Sequence, residues 1–170
     1  MQLSPDGKYW DQVRKRDGKL HEFGWRSNIV VDQCRELIAG FMLGGTSTGI
    51  QQLRLGRGES HWDNNPPPAP VAATTMLTDT TPTIISGSAL NLQFLDAVGN
   101  ETTTPTHRIQ VAVTLDSDTL SISGSERYPL REFALFGQFD GEDYMIDYVR
   151  HPVMSLSVGD TLIRKIRLVF

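Results

Sequence analysis

The residues of this chain that could do chemistry are few. Four histidines stand at positions 21, 61, 107 and 151, and Cys34 is the single cysteine. No two histidines have the short spacing of metal ligands, and there is no second cysteine to complete a zinc site. His61-Trp62-Asp63 places an imidazole two residues from a carboxylate, the pairing that general acid–base work uses, but neighbouring loop residues adopt it by chance. Ser86-Gly87-Ser88 and Ser123-Gly124-Ser125 read as turns, since neither forms the tight strand-to-helix elbow that exposes a nucleophilic serine. The loop Gly44-Gly45-Thr46-Ser47-Thr48-Gly49 lacks the lysine of a phosphate-binding loop and follows a helical pattern instead of preceding one. Asp140-Gly141-Glu142-Asp143 gathers three carboxylates that could hold calcium weakly, yet its spacing is that of a solvated hairpin tip. These residues predict no catalytic group, no cofactor and no enzyme.

Composition narrows the classes further. A chain of 170 residues is long enough to bury about two-thirds of its unfolded surface in one domain, or in one domain with arms. No apolar run approaches the roughly 20 residues of a membrane helix, so no membrane partner is expected. The start, Met1-Gln-Leu-Ser-Pro-Asp-Gly-Lys, has no apolar core, which predicts no secretory leader and leaves the acceptor Asn100-Glu101-Thr102 unmodified. Cys34 excludes an internal disulfide; three residues before Leu37 and four before Ile38, it is expected to pack as a small hydrophobe. The net charge of −4 is unevenly spread: Lys and Arg are absent from 58–107, while Arg150, Arg164, Lys165 and Arg167 crowd the end. Nucleic-acid binding needs a basic stripe that neutralises several phosphates together. Here Arg14-Lys15-Arg16 runs into Asp17 and the terminal cations alternate with apolar residues, so no nucleic-acid partner is expected.

The elements that position these residues are mostly strands. Asp17-Gly18 is a favoured two-residue turn between mixed apolar and polar runs, which predicts an N-terminal hairpin over 9–25. Leu37, Ile38, Phe41 and Met42 recur at helical spacing, giving one helix over 32–43 with Asp32 as N-cap and Gly44-Gly45 as stop. A strand over 49–55 then closes on Gly56 and Gly58. Residues 61–73 carry Pro66, Pro67, Pro68 and Pro70; proline lacks the ladder donor, so this stretch is expected to be an extended arm. The threonine-rich 74–83 continues as edge or loop. Strands are expected at 84–85, 89–95, 109–115, 120–123, 132–136, 144–150 and 161–170, separated by turns such as Asp116-Ser117-Asp118 and Asp140-Gly141. In the last strand Leu162, Arg164, Ile166, Leu168 and Phe170 share one face, with Phe170 tucked into the core. The spacing predicts a mainly β chain: an antiparallel sandwich or jelly-roll-like core at 28–170, preceded by a hairpin or arm at 1–27.

The run Asn28-Ile-Val-Val-Asp-Gln-Cys-Arg-Glu-Leu-Ile-Ala, followed by Ile50-Gln-Gln-Leu-Arg-Leu-Gly-Arg-Gly, resembles small virion proteins of the tail and baseplate modules of tailed bacteriophages. Arg131-Glu-Phe-Ala-Leu-Phe-Gly, Met145-Ile-Asp-Tyr-Val-Arg-His-Pro-Val and the closing Asp160-Thr-Leu-Ile-Arg-Lys-Ile-Arg-Leu-Val-Phe agree in order. A contractile injection system fits the same pattern. The resemblance implies a structural job, a β-rich body packed into a tail, baseplate, neck or fibre attachment of a virion put together in the host cytoplasm. The partners it implies are other virion proteins and further copies of the chain. The expected contacts are Tyr9, Trp10 and Phe23 of the hairpin and His61, Trp62, Pro66, Pro67, Pro68 and Pro70 of the arm, with Phe133, Leu135 and Phe136 as core anchors. Removal of 61–71 is expected to leave a folded chain that no longer assembles. Two other readings fit: a capsid decoration protein, and a carbohydrate-binding β-sandwich with Trp62 as its platform.

Overall fold

The computed structural model describes residues 5–170. The first four residues of the expected arm at 1–27 lie outside the described residues. In chain order the elements are β1 (Asp6–Arg14), β2 (Leu20–Val30), α1 (Asp32–Met42), β3 (Ser47–Gly56), β4 (Thr83–Ser86), β5 (Asn91–Leu95), β6 (Glu101–Thr102), β7 (Arg108–Leu115), β8 (Arg127–Phe139), β9 (Glu142–Ser157) and β10 (Thr161–Val169). The described residues are thus mainly β with one α-helix, and every strand pairing whose register is resolved is antiparallel. Two compact units divide it, each built from separated stretches of sequence.

The first unit takes the described part of Met1–Asn28 with Ser88–Arg127 and Leu156–Phe170. Its strands run in the order β2-β1-β10-β7-β5-β6. β1 pairs along its whole length with β10, from Asp6 opposite Val169 to Arg14 opposite Thr161, and on its other side with β2. The turn between β1 and β2 is longer than the expected two residues. Lys15 and Lys19 close it, with a bond from Gly18 N to Lys15 O, and Gly18 takes φ +86°, the left-handed residue that ends a three-residue loop. Period-two burial sets the faces. Tyr9 and Val13 of β1, Val111, Val113 and Leu115 of β7 and Leu162, Ile166 and Leu168 of β10 are buried. Arg164 lies on that buried face because Asp11 meets it there, with Nε and Nη2 each donating to a carboxylate oxygen at 2.7 Å. Phe170 departs from the expectation: it lies beyond β10, 45% exposed, with its backbone N–H donating to His107 O.

The expected strand at 120–123 is a turn. Asp116 accepts from the N–H and hydroxyl of Thr119, Leu120 N bonds Asp116 O, and Ile122 N returns to Ser117 O, so the backbone coils back on itself. Leu120 and Ile122 are buried all the same, which is why their alternation imitates a strand.

The second unit takes Ile29–Gly87 and Tyr128–Ser155. Its strand order is β4-β3-β8-β9, and the last two residues of β2, Ile29 and Val30, pair with Tyr148 and Asp147 of β9. β8 and β9 outrun the expected 132–136 and 144–150, because a two-residue turn joins them: Asp140 and Gly141 both have positive φ, the combination whose twist matches the flanking strands. The core gathers Val31, Leu77, Ala134, Phe136, Met145 and Tyr148. The anchors Phe133, Leu135 and Phe136 are all buried. α1 begins at Asp32 as expected, but Asp32 is not its N-cap. Val31 is the N-cap, without a side-chain bond, while the Asp32 carboxylate turns to Arg35 at 2.6 Å. The stop is as expected: Gly44, at φ +75°, donates to Phe41 O and Gly45 N donates to Gly40 O, the paired bonds of a left-handed helix end.

Candidate functional site

The helix of the second unit buries Cys34, Leu37 and Gly40. The Cys34 thiol is pushed up to about 12, first by burial and then by the Asp147 carboxylate, so it is an inert packing group. Gly40 and Gly45 both lie against the Phe139 ring, and this contact seats the helix end. The last turn then has no room for large residues on its inner side. They point outward: Phe41 is 56% exposed, Met42 85% and Leu43 88%, with Ile38 partly exposed one turn earlier. Four apolar side chains at one helix end are thus open to solvent.

The proline stretch is tied down at both ends to the second unit. Trp62, in a short 3-10 turn at Ser60–Asp63, is only 4% exposed. Gly58 makes this possible, since a Cβ there would lie 2.5 Å from the Trp62 ring and φ is +53°. Asp63 takes a two-pronged bond from Arg131 at 2.7 and 2.8 Å, and this guanidinium holds its carboxyl below the usual range. Arg131 also donates to Arg57 O. Beyond the prolines, the buried Glu132 carboxylate accepts from Thr78 N, Asp79 N and the Tyr148 hydroxyl. Burial, and then this bond to Glu132, push the Tyr148 phenol up. Arg150 completes the clamp, donating to Pro68 O at 3.1 Å, to Thr78 Oγ1 at 3.2 Å and to the Tyr148 hydroxyl, with its guanidinium 5.3 Å from the Trp62 ring centroid. Ala72 O accepts from Asp32 N. The pair Gly56 and Gly58 thereby has a use that the sequence pattern alone did not show: Gly56 leaves space for the Glu132 side chain and Gly58 for Trp62.

The expected contact residues therefore separate. Tyr9 and Trp62, each 4% exposed, fill their own units and offer no face to a partner, so the sugar platform built on Trp62 has no open ring. His61, Pro66 and Pro68 are exposed, Pro67 and Pro70 half-buried, and Phe23 is partly exposed on β2. Trp10 lies half-buried beside Trp25 across the β1–β2 pair, its indole donating to Glu22. The expectation that 61–71 can be removed without harm to the fold fails on Trp62 and Asp63, which are a core side chain and the partner of Arg131. At the β8–β9 turn Asp143 is taken by Arg54 and by Gln138 at 3.0 Å, and among the described residues no cluster has the makings of a metal site. The helical spacing of Leu37, Ile38, Phe41 and Met42 was legible, but not that the structure buries Leu37 and leaves the other three exposed. The Glu132–Tyr148–Arg150 clamp was not legible, since its members are 16 and 18 residues apart on two strands that only the fold brings together. No protein-family model, no curated protein and no solved structure matches this chain.

Proposed function

We propose that this chain is a structural virion protein, working by protein–protein contact in a phage tail, baseplate, neck or fibre attachment. The observation that carries the reading is the apolar end of α1. Phe41, Met42 and Leu43 stand in solvent on a helix whose other face is fully packed, and burial of such a side chain stabilises by about 1.5–3 kcal/mol. A neighbouring subunit, another copy or a different virion protein, supplies that burial. The finer architecture belongs to the same proposal: a sandwich or jelly-roll-like core, with the β1–β2 hairpin and the exposed prolines of 61–73 as outer contact elements. The resemblance in the sequence supports it through the order of its landmarks.

The test replaces the three apolar residues together, Phe41→Ser, Met42→Ser and Leu43→Ser. The variant is expected to keep its circular dichroism and melting temperature, while light scattering and particle reconstitution show loss of self-association or of incorporation. Incorporation at the parent level would sink the reading. Mass spectrometry of separated heads and tails distinguishes it from a capsid decoration protein, which would travel with heads.

A further inference from the structure

The first unit carries a charged surface distinct from the helix end on which the assembly reading rests. On the outer face of its sheet, β1, β10 and β7 bring Lys8, Arg167 and Arg108 side by side: Lys8 pairs with Arg167, and Arg108 with Val169. The loop Asp96–Gly99 rises beside them, and together they line a cleft of about 160 Å³. Arg167 is fixed in place. Its Nε donates to Gln110 Oε1 at 2.9 Å, its Nη2 to Gly99 O at 3.1 Å, and its guanidinium lies 4.4 Å from the Trp25 ring centroid. Lys8 approaches the same ring at 5.0 Å. Among the described residues no carboxylate forms an ion pair with any of the three cations. Asp96 lines the cleft, but its oxygens already accept from Val98 N, Asn100 N and Asn100 Nδ2. Glu101, the other acid nearby, is bonded to Gln110 Nε2.

Three cations therefore converge on a small opening against one lining carboxylate, Asp96, with Glu101 acting on Arg167 from nearby. The geometry points to a binding site for a phosphate group. The charge favours a dianion over a single carboxylate, and a guanidinium held by two bonds and an aromatic face is pre-organised to receive oxyanion oxygens. The cleft is smaller than the roughly 300–1,000 Å³ of sites that enclose a whole drug-sized ligand, so it would take a headgroup and leave the rest of the molecule outside. Burial lowers the proton affinity of Arg167 and the Glu101 carboxylate raises it.

The test titrates the intact protein with inorganic phosphate, pyrophosphate and glycerol phosphate, with acetate as the monovalent control at matched ionic strength. Calorimetry gives the affinities, and the Trp25 indole N–H resonance reports the site. Saturable phosphate binding at least tenfold tighter than acetate is expected, with the Trp25 signal shifting. Preference for glycerol phosphate over inorganic phosphate would assign the site to an esterified ligand; the reverse order would assign it to free phosphate. Lys8→Gln, at an exposed position, and Arg108→Gln, at a half-buried one, should each weaken binding about tenfold while melting like the parent. Lys19→Gln, at the distant hairpin turn, should leave binding unchanged. Equal responses to acetate and phosphate, or affinity unchanged in both cleft variants, would overturn the assignment. Neither result bears on the helix end of the second unit, so this test and the assembly test fail separately.

Discussion

Asp160 shows how one carboxylate can secure a turn. It accepts from Lys15 Nζ at 2.8 Å and from the backbone N–H groups of Arg16 and Ser157. Burial alone would raise its proton affinity, but the Lys15 ammonium and the two N–H donors outweigh that and hold it below the usual carboxylate range. A depressed folded-state value means that the contribution is fully present above the unfolded value of about 3.9 and is lost as pH falls through the lower folded value. Asp160→Asn should therefore lower stability by ~2 kcal/mol at pH 7, a gap that narrows below about pH 4 in parallel denaturation series. A gap independent of pH would contradict the ionic account. Cys34 gives a second prediction at this scale. With its thiol at about 12 and its side chain enclosed, it should resist aromatic disulfide reagents at pH 8 and react at once in denaturant.

At the scale of elements, two contacts decide how the second unit holds together. Gly40 faces the Phe139 ring, and a Cβ there would come 2.6 Å from its nearest carbon. Alanine gains about 1 kcal/mol of helix propensity over glycine, whereas overpacking costs about 1–3 kcal/mol. Gly40→Ala is therefore expected to destabilise despite its better propensity, and Phe139→Leu should restore the loss; chemical denaturation of the single and double variants measures both. The clamp on the proline stretch makes the second case. Glu132→Ala strands Thr78 N, Asp79 N and the Tyr148 hydroxyl and should cost about 3 kcal/mol. Arg150→Ala frees Pro68 O and Thr78 Oγ1, nearer the surface, and should mainly speed hydrogen exchange and proteolysis within 64–82. Exchange there at the parent rate would show that the clamp does not restrain the segment.

For the whole molecule, contact with other subunits is the proposal to test. The apolar helix end predicts association, and its triple serine variant separates fold from assembly. The same scale shows what the composition of the proline stretch leaves out. Four prolines forbid a central strand, and from that an arm follows naturally, but the flanking Trp62 and Leu77 are anchors whose burial is a property of the assembled unit.

What the sequence determined by itself is whatever depends on near neighbours along the chain. The period-two runs of β1, β7 and β10, the helical spacing that buries Cys34 and Leu37, and the turns at Gly18, Gly44 and Gly141 are local, because dihedral preference and side-chain period act over a few residues. Tertiary structure decided whatever needs partners far apart in sequence. Asp11 meets Arg164, Glu132 meets Thr78 and Asp79, and Lys8, Arg108 and Arg167 converge only once β1, β10 and β7 lie side by side. The same limit made 120–123 look like a strand: Leu120 and Ile122 alternate into the interior, and it is the long-range packing of the unit, not the alternation, that lets a turn bury them.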